Sequence, residues 1–198
     1  MKHDIKWDIL LRIRTTGFDS SNSDMHHYPY EPTDYRVLER LVESGYIGKR
    51  NVLVDYGCGK GRVDYFLSHE TKCKSIGVEY DERIYNQAVD NMNHAVSKNK
   101  VFFHHGAAEE FEPPITVDRC YFFNPFSTEI LKKVVARIMD SYYENPREIL
   151  LFFYYPSDYY ISYLMTEPYI EFYDEIDCTD LFDVYNNRER IMVFVLLK

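Results

Sequence analysis

The sequence predicts an α/β fold, a mainly parallel β-sheet covered by helices on both faces. Three observations predict it. Between Asn51 and Tyr155, short apolar runs alternate with segments of helical periodicity, the pattern of consecutive β–α–β units. The first apolar run leads directly into a glycine-rich turn, where open α/β sheets place their ligands. Residues 168–198 hold extended segments ending in the apolar run IMVFVLL, which reads as an antiparallel hairpin at one edge.

In chain order, residues 5–14 predict a helix with Ile5, Ile9 and Ile13 on one face and Trp7, Leu10 and Leu11 nearby, ended by Gly17. The polar stretch Phe18–Pro32 reads as a loop or lid. Thr33 or Asp34 caps a second helix over 34–44, with Val37, Leu38, Leu41 and Val42 inward. NVLVDY (51–56), KSIGVEY (74–80), VFFHH (101–105), VDRCYFF (117–123) and EILLFFYY (148–155) read as strands. Helices are expected over 61–70, over 81–97 with Ile84, Ala88, Met92, Ala95 and Val96 inward, and over 127–143 with Ile130, Val134, Val135 and Ile138 inward. The 198 residues fit one domain: helices and lid at 1–48, a ligand-binding core at 51–155, closing strands at 156–198.

Bulk properties exclude several classes. No apolar run reaches the roughly 18 residues of a membrane span, and no signal-peptide pattern opens the chain, so a cytoplasmic protein is expected. Cys58, Cys73, Cys120 and Cys178 are widely spaced and read as free thiols. The pairs His26–His27 and His104–His105 lack the helical i, i+4 spacing of a zinc site, so no metal is assigned. A net charge of −9 disfavours binding to a phosphate backbone. The 19 tyrosines and 13 phenylalanines exceed ordinary core needs, and leave open whether the excess lines a pocket or an interface.

The central signal is VLVDYGCGKGR, residues 52–62. Gly57, Gly59 and Gly61 let the backbone turn sharply and approach a ligand, and the following helix presents free N–H groups. The dinucleotide pattern G-x-G-x-x-G fails, because its third glycine falls on Arg62; the phosphate-loop pattern is also absent. Asp55 precedes the turn. An acid there repels a pyrophosphate and suits a cationic ligand end. Glu79 closes the second strand, where a carboxylate accepts both hydroxyls of a ribose or, alternatively, lies beside the cap of the next helix at Asp81.

DYGCGKGR, GVEYD and FFNPF together resemble the class I S-adenosylmethionine-dependent methyltransferases over roughly residues 51–155. The resemblance implies a Rossmann-like three-layer sandwich with a seven-stranded sheet whose last strand is antiparallel. It implies S-adenosylmethionine as cofactor and S-adenosylhomocysteine as product. Asp55, Gly57, Cys58, Gly59, Gly61 and Arg62 match the turn at the methionine part, and Glu79 and Tyr80 the ribose-binding position. After the third strand many members carry an acid for the adenine amine. Ala107 stands there, leaving the Ala108 N–H or the Glu109 carboxylate to serve the ring.

Methyl transfer needs alignment and water exclusion more than a particular acid or base. Asn124, Pro125 and Phe126, at the end of the fourth strand, resemble the Asn-Pro-Pro-aromatic motif of amine methyltransferases without its second proline. They either contact substrate and cofactor or end the strand in a turn. In the segment before the glycine turn, Tyr30 and Thr33 are expected at the cofactor, and His26 or His27 as general base, with His27 favoured. Tyr154-Tyr155-Pro156 supplies a further aromatic wall or strand-end packing. The expected acceptor is a small molecule or a protein side chain. The alternatives are a nucleic-acid amine methyltransferase, a non-catalytic cofactor-binding scaffold and an NAD-dependent oxidoreductase, the last opposed by Asp55 and Arg62. The oligomeric state has no signal in the sequence.

Overall fold

A computed structural model describes residues 2–21 and 25–197; residues 22–24 of the predicted lid and Lys198 of the predicted tail lie outside them. Its centre is a seven-stranded sheet, β1 (Val52–Tyr56), β2 (Lys74–Glu79), β3 (Val101–His105), β4 (Arg119–Phe122), β5 (Leu150–Tyr154), β6 (Ile170–Asp177) and β7 (Arg190–Leu196). The spatial order is β3-β2-β1-β4-β5-β7-β6. The first five strands run parallel, and β7 lies antiparallel between β5 and the edge strand β6. The chain winds outward through β2 and β3, then returns to place β4 on the other side of β1. That reversal opens a crevice at the carboxyl ends of β1 and β4.

The helices are α1 (Lys2–Leu11), α2 (Tyr35–Glu43), α3 (Arg62–Thr71), α4 (Glu82–Met92), α5 (Thr128–Glu144) and α6 (Asp158–Leu164). Two hydrophobic cores lie on opposite sheet faces. Val54 and Phe122 join Ile130 and Val134 of α5 and Leu164 of α6 in one; Leu53 and Tyr121 join Leu38 of α2 and Phe66 of α3 in the other. Neighbouring strand residues thus point to opposite cores, and Leu53, Val54, Asp55 and Tyr56 are all buried, as strands covered on both faces require. The chain has the Rossmann-like α/β architecture that the sequence predicts, with the antiparallel closing strands.

The predicted face of the first helix is corrected. Ile5, Ile9 and Leu10 are exposed, and the helix ends at Leu11, with Arg12 in the left-handed region at φ 59°. Its inward stripe is Asp4, Trp7, Asp8 and Leu11, at i, i+3, i+4 and i+7. Asp8 accepts hydrogen bonds from Thr15 N (2.8 Å), Thr15 Oγ1 (2.7 Å) and Tyr35 OH (2.7 Å), and Trp7 packs edge-on against Phe66 at 4.8 Å. Polar partners outrank apolar periodicity here because the buried Arg62 must be neutralised. The fourth helix also stops early, at Met92, and Val96 is exposed. There Asn91 turns its carboxamide to Arg14 N, Arg14 O and Lys60 O. Helix α6 went unanticipated. Ser157 caps it, accepting from Tyr160 N at 3.2 Å, and Tyr160 and Leu164 are buried beneath it.

Candidate cofactor and acceptor site

The turn between β1 and α3 is held from below. Gly57 N and Cys58 N both donate to Val78 O, at 2.9 and 3.0 Å, which ties the turn to β2. Gly57 and Gly59 sit at φ 77° and 57°, where a side chain is strained. A Cβ on Gly57 meets Pro125 Cβ at 2.3 Å, and one on Gly59 meets the Tyr30 ring at 2.1 Å. Both glycines are therefore required by packing as well as by conformation.

Three carboxyl groups gather at this end of the sheet. Glu79 accepts from Gly59 N and Asp81 N, each at 2.9 Å, so one carboxylate joins the glycine turn to the start of α4. Burial raises its pKa, opposed by those backbone donors. Asp55 is buried beside Asp64 of α3, while Ser75 Oγ donates to Asp64 Oδ1 at 2.5 Å. Burial holds Asp55 well above the usual carboxylate range, with repulsion from Asp64 adding to it; burial also pushes Asp64 up to about 7. Two buried carboxyls side by side cannot both ionise, so the pair keeps a proton. Asp55 Oδ2 has no hydrogen-bond partner.

A strap formed by residues 25–33 covers the turn. Tyr28 N donates to Pro125 O at 3.2 Å, Ser127 N to His26 O at 2.9 Å, and Tyr30 N to Asp19 O at 2.8 Å. Tyr30 lies over Gly59, donates its hydroxyl to Thr15 O, and receives the Lys60 ammonium over its ring at 4.8 Å. His27 stacks on Tyr80, ring centroids 4.2 Å apart and 8° from parallel. Beneath the strap remains a cavity of about 90 Å³.

Of the residues singled out in the sequence, His27, Tyr30, Thr33, Pro125 and Phe126 wall this cavity. So do Asp55, Gly57, Cys58, Arg62, Glu79, Tyr80 and Ala108. Gly59, Gly61, Ala107 and Asn124 are not on its wall. Tyr30 covers Gly59, and Phe103 and Tyr65 crowd Gly61. The Asn124 carboxamide is engaged elsewhere: Nδ2 donates to Tyr155 O, and Oδ1 accepts from Ser157 N at 3.2 Å. Both ends of that group thus hold the β5–α6 turn instead of facing a substrate amine, and Pro125 O is taken by Tyr28 N. Sequence reasoning missed Asp64, Phe123 and Tyr121. Asp64 sits in an apolar helical run with no motif around it, and the two aromatics belong to a strand whose pattern reads as core.

Arg62 is almost wholly buried. Nε donates to Thr15 Oγ1 at 2.8 Å, Nη1 to Asp4 Oδ1 and Thr33 O at 2.9 Å, and the guanidinium lies 4.4 Å from the Tyr35 ring centroid. Nη2 has no hydrogen bond, only a 3.9 Å ion-pair contact with Asp8. Glu109 Oε2 is likewise buried without a partner on the cavity wall.

The structure superposes on an S-adenosyl-L-homocysteine complex of an RNA methyltransferase from Salinibacter ruber, with TM-score 0.55 over 85% of this chain and 95% of that one, at 17% identity. The chain has the class I methyltransferase fold. A second methyltransferase of that fold, an S-adenosylmethionine-dependent enzyme from Thiobacillus denitrificans in complex with S-adenosyl-L-homocysteine, gives TM-score 0.58 over 84% of this chain and 91% of that one, at 15% identity. In sequence, a protein-lysine N-methyltransferase of Saccharolobus islandicus is 30% identical over 67 residues, 33% of this chain and 42% of that relative's length. No protein-family profile matches the chain. Among the described residues, no helix of this methyltransferase-fold chain is long and apolar enough to cross a membrane.

Proposed function

We infer that the chain binds S-adenosylmethionine beneath the strap and transfers its methyl group to an acceptor. The observation that carries this reading is the convergence of Asp55, Glu79 and the glycine turn on one cavity at the carboxyl ends of β1 and β2. Acids on that wall suit a cationic nucleoside and oppose a pyrophosphate. Orphaned buried polar atoms fit its remaining groups: Arg62 Nη2 suits the α-carboxylate, Asp55 Oδ2 the α-ammonium and Glu109 Oε2 the adenine amine. Glu79, already accepting from Gly59 N and Asp81 N, suits the ribose hydroxyls with its remaining acceptor capacity. Tyr80 offers a ring face to the base, which His27 covers here.

The bound cofactor supplies an electrophilic methyl carbon. The chain's own residues bind, orient and exclude water. Pro125 and Phe126 form the wall at the end of β4, and their backbone pairing with the strap fixes that wall against the lid. Tyr30 covers Gly59, so a ligand that reaches the glycine turn displaces it. The acceptor is a small molecule or a protein side chain, and the acidic balance weighs against nucleic acid.

Transfer of tritium from methyl-labelled S-adenosylmethionine tests the reading. Incubation with fractionated cell extract is expected to label the protein or small-molecule fraction. Label confined to RNA moves the acceptor to nucleic acid. Cofactor binding with no transfer to any fraction leaves a non-catalytic scaffold.

A further inference from the structure

Beside the cofactor cavity lies a second, larger one of about 490 Å³. The two share Glu31, Pro32, Arg62 and Phe123, which stand at the boundary between them. The second opens at the ends of β4 and β5. Its wall there is three rings in mutual contact: Phe123 to Tyr154 at 4.7 Å, Tyr154 to Tyr155 at 6.1 Å, and Phe123 to Tyr155 at 6.4 Å.

The charged part of the remaining wall is mostly acidic. Asp4, Glu31, Asp34 and Glu189 line it, against Arg62 as the lone base. Arg62 is matched by Asp4 at 2.9 Å, and Asp34 by Arg36 at 2.7 Å. Glu31 and Glu189 have no arginine or lysine partner among the described residues; Glu189 accepts only a hydroxyl, from Tyr154 at 2.6 Å. Two rings of this cavity already lie against cations that do not themselves line it. The Arg188 guanidinium lies 4.2 Å from the Tyr155 centroid, and Arg36 lies 5.0 Å from that of Phe182. Arg188 donates from Nε to Pro156 O and from Nη2 to Tyr155 O, each at 3.2 Å, and pairs with neither carboxylate.

We propose that this second cavity is the acceptor site and that it takes an alkylammonium group, with Phe123, Tyr154 and Tyr155 as the ring wall and Glu31 and Glu189 as the counter-charges. The inference rests on the methyltransferase reading above. Aromatic faces joined by carboxylates select a cation over an isosteric neutral chain. Glu31 lines both cavities and so stands at the boundary between acceptor and cofactor. The reaction balances without a further reagent. The ammonium loses one proton to a carboxylate or to water, its freed lone pair forms the new carbon–nitrogen bond, and the breaking carbon–sulfur bond leaves its electrons on sulfur. One proton is released per methyl transferred.

The test is a calorimetric titration of the full chain, saturated with S-adenosylhomocysteine, using Nα-acetyl-L-lysine amide and its neutral isostere Nα-acetyl-L-norleucine amide. The lysine compound is expected to bind about tenfold more tightly, the equivalent of ~1.4 kcal/mol. Glu189→Gln and Tyr155→Leu are each expected to remove most of that preference while S-adenosylhomocysteine still binds. Butylamine separates the sources: binding as tight as the lysine compound marks a small amine, and weaker binding marks a protein side chain. Equal binding of lysine and norleucine compounds, or a preference retained in both variants, overturns the amine site. Failure of S-adenosylhomocysteine to bind the unmodified chain overturns the methyltransferase reading instead.

Discussion

At Glu79 one carboxylate already serves two backbone donors, Gly59 N and Asp81 N, before any ligand is considered. Glu79→Ala is expected to weaken S-adenosylhomocysteine binding by about 1–3 kcal/mol through lost charge-assisted hydrogen bonds. Unchanged affinity in equilibrium dialysis removes Glu79 from the site. The Asp55–Asp64 pair makes a separate prediction in pH. Asp64 is pushed up to about 7, chiefly by burial, and its unfolded value lies near 4. Between those values the folded chain binds more protons than the unfolded one, so the contribution of Asp64 to stability is full at low pH and is lost as pH rises through about 7. Asp64→Asn is expected to flatten that decline in urea titrations run at several pH values; an unaltered slope contradicts the shared proton. The place of Asp55 and Glu79 on the cavity wall was legible in the sequence because each lies at the carboxyl end of a strand next to a recognisable turn. Asp64 was not, because a buried acid within RVDYFL differs from a solvated one only through its partners. Asn124 was placed by its neighbours in sequence, yet its carboxamide answers to residues 155 and 157, which no local motif reveals.

Among the elements, the strap and α1 depend on a few polar anchors. Arg62 ties both to α3 through Asp4, Thr15 and Thr33. Arg62→Met leaves Asp4 and Asp8 without their guanidinium and is expected to cost about 3–5 kcal/mol in urea denaturation. A loss below ~1 kcal/mol contradicts an anchoring role. The strap has its own signature. Protection of the Tyr28 and Tyr30 amides, now paired with Pro125 and Asp19, is expected to change in hydrogen exchange when S-adenosylhomocysteine is added. Identical exchange with and without ligand contradicts a moving strap. The strands were legible to within a few residues because alternation and glycine turns bound them. The face of α1 was not, since its stripe is chosen by a buried arginine 58 residues from Asp4 in sequence and not by apolar spacing.

For the whole molecule, sheet order follows from local rules: parallel β–α–β units wind one way, and the crossing to β4 creates the crevice. The sheet's centre is an aromatic stack, with Phe153 parallel to Phe122 at 4.6 Å and edge-on to Phe194 at 5.8 Å. Phe153→Ala is expected to destabilise the fold by about 3–5 kcal/mol, read as a lowered denaturation midpoint. Much of the unusual phenylalanine and tyrosine content thus serves the core, and a smaller part walls the two cavities. Which part does which depends on contacts between distant strands, so composition alone left it open.

Calorimetric titration of the purified chain with S-adenosylmethionine, with NAD as control, tests the central claim most directly. Micromolar binding of S-adenosylmethionine and none of NAD is the result the acid-lined cavity predicts. Binding of NAD in preference to S-adenosylmethionine contradicts it, because Asp55 and Arg62 then fail to set the ligand's charge and shape.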